Sequence, residues 1–142
     1  MYWRNPKSCS RLLLKKTSAK KQEAIDITRE IQTAADQNNW RNGALFAFAR
    51  HCTCALVLNE FEPRICSDYF KLLETLVNKK GWAHNEIDDN AAAHLAAFLV
   101  GSHCMIPVRE GRLALGTWQK IILLEFDGPR EREIELVFIE AK

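Results

Sequence analysis

The spacing of apolar residues changes period several times along this 142-residue chain, and each change marks an element. Residues 10 to 17 predict a first strand, followed by a polar, Lys-rich turn. Ile27, Ile31, Ala34 and Ala35 share one face of a first helix. Asp26 or Thr28 is its cap, and Asp36-Gln37-Asn38-Asn39 with Gly43 its stop. From Gly43 to Arg50 the run is almost continuously apolar, which predicts a strand buried on both faces, and Ala55 to Asn59 predicts another. Pro63 suits the first turn of a second helix with Ile65, Tyr69, Leu72, Leu73, Leu76 and Val77 as its apolar face. Lys79, Lys80 and Gly81 end it.

A loop carrying Trp82, His84 and Asn85 leads to Asp88-Asp89-Asn90, an acidic N-cap cluster for a third helix. That helix is expected to bury Leu95, Phe98 and Leu99 and to stop at Gly101. The remainder predicts strands over 103–108, 113–119, 120–127 and 132–139, with turns at Arg109 to Gly111 and at Gly128-Pro129. In the last strand Ile134, Leu136 and Phe138 alternate with Glu133 and Glu135, so one face meets solvent or a partner. Helices set among strands in this order give an α+β class. One domain is expected over residues 1–142, with residues 1–24 as a basic N-terminal strand and turn.

Composition agrees with a folded domain: 47% of residues are hydrophobic and 27% charged, far from the signature of disorder. The length suits one core and not two. Net charge is only +2, yet residues 1 to 21 hold seven Lys or Arg and no acid. A solvated strand and turn accounts for this. A nucleic-acid footprint would want stacking aromatics and a known motif, and an organellar presequence would be cleaved. Neither nucleic acid nor membrane is therefore expected as a partner. No apolar run nears the roughly 20 residues of a membrane span and no secretory core opens the chain, so a soluble, cytoplasmic protein is expected. The five cysteines form an odd set without a CxxC pair, which favours neither disulfides nor a zinc knuckle. Cys52 and Cys54 fall in an expected strand that would put both thiols on one face, as small buried side chains or, less simply, as soft-metal ligands.

The residues able to carry chemistry concentrate at element ends. His51 follows the apolar strand, where a rigid scaffold positions functional groups. His84 lies in a polar loop, and His94 stands one helical turn after Asn90 on the same face. With Asp88 and Asp89 they supply N and O ligands for zinc or another divalent ion, provided that the loop folds back on His51. His103 opens a strand and reads as structural. Asn59-Glu60 and Pro63-Arg64 sit where the second helix begins, as caps or as an anion site. Gly111-Arg112-Leu113-Ala114-Leu115-Gly116-Thr117-Trp118-Gln119 brings backbone and a Thr-Trp-Gln triplet toward a ligand. It matches neither the phosphate loop nor the dinucleotide fingerprint, and no organic cofactor is expected.

Taken in order, these residues resemble a known family. The blocks are His51-x-Thr53-x-Ala55-Leu56-x-Leu58-Asn59-Glu60, His84-Asn85, Asp89-Asn90-Ala91-x-x-His94, Gly111-Arg112-Leu113-x-Leu115-Gly116-Thr117-Trp118-Gln119 and Glu125-x-Asp127-Gly128-Pro129-Arg130. From about Ile25 onward the chain is similar to the YjbQ family, commonly labelled secondary thiamine-phosphate synthase. It departs from that pattern in Cys52 and Cys54, where Thr, Ser or Ala is usual, and in a short loop between Gly81 and Asp88. The resemblance implies a mixed, mostly antiparallel sheet with about three helices, a homotrimer, and polar residues gathered near subunit boundaries.

The activity so labelled is a transfer that joins a pyrimidine pyrophosphate to a thiazole phosphate, so the expected partner is a small phosphorylated metabolite. Such a reaction wants cations on the leaving pyrophosphate and a shielded ring. His51, Asp89 and His94 are the catalytic candidates. Thr53, Asn59, Glu60, Arg112, Thr117, Trp118, Gln119 and Arg130 are the substrate-binding candidates, with Arg112 or Arg130 on phosphate and Trp118 beside the ring. His51, His84, His94 and Asp88 are the candidate ligands of a divalent metal, zinc or magnesium. Two readings compete: a His-coordinated, metal-dependent hydrolase of a small metabolite, and a trimeric anion-binding module without turnover. The metal and catalytic readings expect His51, His84 and His94 to converge on one pocket. A histidine held at position 51 for structure alone would instead hydrogen-bond the backbone.

Overall fold

The computed structural model describes residues 9–141. The elements in chain order are β1 (Cys9–Thr17), β2 (Glu23–Asp26), α1 (Thr28–Gln37), β3 (Gly43–Ala49), β4 (Cys54–Asn59) and α2 (Pro63–Val77). A 3-10 turn (Ala83–Glu86) follows, then α3 (Ala91–Val100), β5 (His103–Arg109), β6 (Arg112–Leu113), β7 (Lys120–Glu125) and β8 (Glu131–Glu140). The class is α+β, as the pattern of elements predicts. Arg4 and Lys7 of the basic N-terminal segment lie outside the described residues.

The strands form two antiparallel sheets, one in the order β1-β8-β3-β5-β6 and one in the order β2-β7-β4. Leu45, Ala47, Ile106, Ile134 and Leu136 point from the larger sheet into a core shared with Ile27, Ile31 and Ala35 at α1 and with Leu56, Ile121 and Leu123 of the smaller sheet. The opposite face of the smaller sheet presents Ala55, Ile122 and Leu124 to Leu73 and Val77 of α2 and to Ala93, Ala96 and Ala97 of α3. β7 thus lies between two cores, and every residue from Ile121 to Phe126 is buried. That leaves β7 covered on both sides along Ile121 to Glu125, as β4 is over Cys54 to Leu56. β3 is not, although its composition predicts it: Leu45, Ala47 and Ala49 are buried while Phe48 on the outward face is exposed, because no helix among the described residues covers that side of the larger sheet.

α1 begins where its sequence predicts, but its N-cap position is Ile27, which has no capping side chain. The Asp26 carboxylate accepts the Thr28 amide at 2.9 Å, and the Thr28 hydroxyl instead accepts the Ile121 amide at 2.8 Å, fastening the helix to β7. α2 has the expected bounds but turns by one residue: Leu73 and Val77 face inward with Tyr69 and Phe70 beside them, while Leu72 and Leu76 are exposed. α3 departs further. Its buried face is Ala91, Ala93, Ala96 and Ala97, Leu95 is half-buried, and Phe98 is 81% exposed. Small side chains let the helix approach the sheet closely, and the larger apolar residues are left outside.

Residues 114–119 form no strand. A Gln119 side chain that accepts the Gly116 amide at 2.8 Å folds them into a turn. The basic first strand is answered by acids, Arg11 by Glu135, Lys15 by Glu131 and Lys16 by Glu30. The solvated-strand reading of that charge is therefore sufficient for residues 11–16. No helix among the described residues is long and apolar enough to cross a membrane.

Candidate functional site

A carboxylate in the apolar run Ile121-Ile122-Leu123-Leu124-Glu125-Phe126 demands a partner, and the structure supplies one. Glu125 is 0% and Arg132 3% exposed. The Arg132 guanidinium grips both carboxylate oxygens, with Nε to Oε2 at 2.7 Å. The Ser18 hydroxyl and the Asp127 amide also donate to Glu125, each at 2.9 Å. Burial alone would push the Glu125 carboxyl up, but the Arg132, Asp127 and Ser18 hydrogen bonds outweigh it and hold the group below the usual carboxylate range. Arg132 also donates to the Thr53 hydroxyl at 2.8 Å and to its carbonyl. Thr53, a substrate-binding candidate by sequence, is therefore buried and engaged in positioning the link between β3 and β4.

The same link carries His51. The backbone amide of Glu133, the residue after Arg132, donates to His51 Nε2 at 2.8 Å. An amide donor requires a lone pair on that nitrogen, so the ring is the neutral tautomer with its proton on Nδ1. Burial lowers the pKa of His51, and the Arg132 charge lowers it further, so neutrality near pH 7 is reinforced. The backbone bond expected of a structural histidine is thus present. His51 also lines an open cleft of about 320 Å³ with Cys52, Cys54, His94, Phe98 and Ser102. Cys52 is exposed ahead of β4 and Cys54 buried within it, so the pair does not share one face of a strand. Burial pushes the Cys54 thiol up to about 11, which makes it inert as a nucleophile at neutral pH.

A second arm reaches His94 from the other side. Asn90 precedes α3 but does not cap it; the Asn85 side chain accepts the Ala91 amide at 3.0 Å in its place. Released from capping, Asn90 donates to Asp127 Oδ2 at 3.1 Å and faces His84 Nε2 with its oxygen at 3.0 Å. Arg130 donates to the same Asp127 oxygen at 3.0 Å and to the Asp127 carbonyl at 2.8 Å. The His84 ring meets His94 edge to face, with centroids 4.7 Å apart. His84, Asn90, Asp127 and Arg130 form one polar chain that ends against His94 at the cleft.

Of the three histidines expected to converge on one pocket, His51 and His94 line the same cleft, while His84 packs on His94 and is not part of the cleft lining. Asp88 and Asp89 are exposed. Among the described residues no three His, Cys, Asp or Glu side chains are gathered where one metal ion would be held. The remaining candidates lie elsewhere. Asn59 pairs with Lys120 and Cys54 with Glu125, so Asn59, Glu60 and Gln119 sit at the opposite end of β4 and β7, about 17 Å along the strands. Trp118, 73% exposed, and Thr117 share that end, and Arg112 is exposed on β6. Asn59 accepts the Glu60 amide at 2.8 Å, Glu60 accepts Tyr69 through its carbonyl at 2.7 Å, and the residue that caps α2 is Glu62. Glu125, Asn90 and Asp127 lie within the motif blocks, but their pairing, Glu125 with Arg132 and Asn90 with Asp127, and Arg132 itself are what motif reading misses. For Glu125 the signal was available, a lone acid in an otherwise apolar strand.

A family model described as UPF0047 protein YjbQ-like matches residues 13–141. A UPF0047 protein of Archaeoglobus fulgidus is 44% identical over 118 residues, which cover 82% of this chain and 91% of that one. A crystal structure of a YbjQ-like protein of unknown function from Sulfolobus solfataricus superposes with a TM-score of 0.89 at 36% identity, covering 94% of this chain and 98% of that one. A hypothetical protein from Aeropyrum pernix superposes with a TM-score of 0.88 at 34% identity, covering 93% and 99%.

Proposed function

Because the chain belongs to the UPF0047 YjbQ-like family, we propose that the cleft between the β3–β4 link and α3 binds the phosphate or pyrophosphate of a small metabolite. The observation that carries this reading is the Glu133 amide on His51 Nε2, which leaves Nδ1–H as the ring's donor toward an oxyanion. It also argues against metal ligation by His51, since neither ring nitrogen offers a free lone pair while that bond is made. The hydrolase reading built on a His51-bound metal loses its support accordingly. His94 forms the opposite wall, braced by His84, and Arg130 is the cation of the polar chain, held by Asp127.

The finer reading is a transferase of the thiamine-phosphate synthase kind, in which the cleft receives the leaving pyrophosphate and the protein stabilises its charge through fixed donors. Asn59, Glu60, Thr117, Trp118 and Gln119, at the far end of β4 and β7, reach such a site only from another copy of the chain. That is where a homotrimer enters the proposal. Isothermal titration with inorganic pyrophosphate tests the coarser reading. Saturable binding is expected, weakened about tenfold by His51→Ala or His94→Ala, as the loss of one charge-assisted hydrogen bond implies. Wild-type heats equal to dilution, or full binding by both variants, would refute it. Chromatographic detection of thiamine phosphate tests the finer reading. Intact pyrophosphate binding with no product removes the transferase and leaves an anion-binding module.

A further inference from the structure

The molecule has a second hollow, of about 330 Å³, on the far side of α3 from the His51 cleft. It exists because α3 turns alanines toward α2. With Ala92, Ala93 and Ala96 where a core helix more often places leucine, the two helices leave a gap between themselves and the end of β7. The floor is apolar and aromatic. Phe70 and Phe126 meet edge to face at 6.1 Å with an interplanar angle of 79°, and Leu73 and Val77 complete the wall. A flat ring entering here would find aromatic side chains in the wall to pack against.

The rim has the opposite character. Glu74, Asp89 and Asp127 stand around it against one cation, Lys21. Asp127 spends an oxygen on Arg130 and Asn90, but the Glu74 and Asp89 side chains make no hydrogen bond or ion pair with another described residue. Two uncommitted carboxylates beside an aromatic floor select a cation joined to a ring, and the volume is at the lower end of small-molecule sites. We propose that this hollow is a second binding site, for a compact aromatic ring bearing a protonated amine. The proposal stands apart from the oxyanion reading of the His51 cleft, whose ligand has the opposite charge.

Benzylamine is a suitable probe, with benzoate as the ring of opposite charge and methylamine as the cation without a ring. Protein-observed nuclear magnetic resonance should show saturable shifts at Ala93, Ala96 and Phe126 with benzylamine and at least tenfold weaker effects with either control. Glu74 is exposed on a helix, so Glu74→Gln should fold normally and weaken benzylamine about two- to fivefold, as expected for a solvent-open ion pair. Ala92→Leu, at a half-buried position, should fill the gap and remove benzylamine binding while pyrophosphate binding is unchanged. Benzoate binding as well as benzylamine, no saturable shift with benzylamine, or undiminished binding by folded Ala92→Leu would each overturn the proposal.

Discussion

Replacing Arg132 with methionine should be among the most damaging single changes available in this chain. The substitution keeps an unbranched apolar stem but deletes the guanidinium that holds both oxygens of a fully buried carboxylate and the hydroxyl of Thr53. Ser18 and the Asp127 amide remain on Glu125, so the carboxylate keeps two donors and loses its counter-charge. Breaking a buried pair from one side costs about 3–5 kcal/mol. At about 2.1 cal/mol/K per residue of unfolding entropy, a chain of 142 residues would lose roughly 10–17 °C in Tm. Urea unfolding followed by circular dichroism gives the free energy, and calorimetry gives Tm. The double variant Glu125→Leu/Arg132→Met removes the orphan charge as well and should recover most of the loss. A single-variant loss below about 1 kcal/mol, or a double variant no more stable than the single, would refute this account of the pair.

Two further outcomes follow from the geometry of His51. His51→Ala leaves the Glu133 amide unpaired beside an open cleft, so unfolding should become easier by about 1 kcal/mol, the lower end of the range for an orphaned donor, measured by urea titration. Because the folded state lowers the His51 pKa, the unfolded chain binds the extra proton first. The stability this contributes is complete above the unfolded value near 6.5 and is lost as pH falls from there toward the folded pKa. Wild type should therefore lose more unfolding free energy than His51→Ala between pH 7.5 and 5.5; equal losses would contradict the neutral assignment.

Where hydrophobic period decides the answer, the sequence is sufficient: α1 closes over Ile27, Ile31, Ala34 and Ala35 as their spacing requires. It fails where size competes with polarity. In α3 the leucine and phenylalanine positions look buried by hydropathy, yet the alanine face is the one that fits against β4 and β7 at short range. β3 misleads for a related reason, since Phe46 and Phe48 raise its hydrophobicity without any layer among the described residues to receive them. Of the candidate site, the three histidines were legible as polar residues at element ends. The separation of the Trp118 turn from them was not, because strand register decides it: β4 and β7 run antiparallel and place Asn59 beside Lys120.

Both arms of the histidine site are fastened to a single strand end. At the exit of β7 the side chains diverge. Glu125 turns inward to Arg132 and so sets Thr53 and, through the neighbouring Glu133 amide, the tautomer of His51. Asp127, two residues on, holds Asn90 and Arg130, and through Asn90 the ring of His84 against His94. The Asp127 amide itself donates to Glu125, so the two arms share one backbone segment. That segment is anchored in the strand that both cores bury, which makes it a rigid place from which to aim two rings at one cleft. It follows that loosening Glu125 should disorder the His84 arm as well as the His51 arm, although no side chain of the His84 arm is hydrogen-bonded to Arg132.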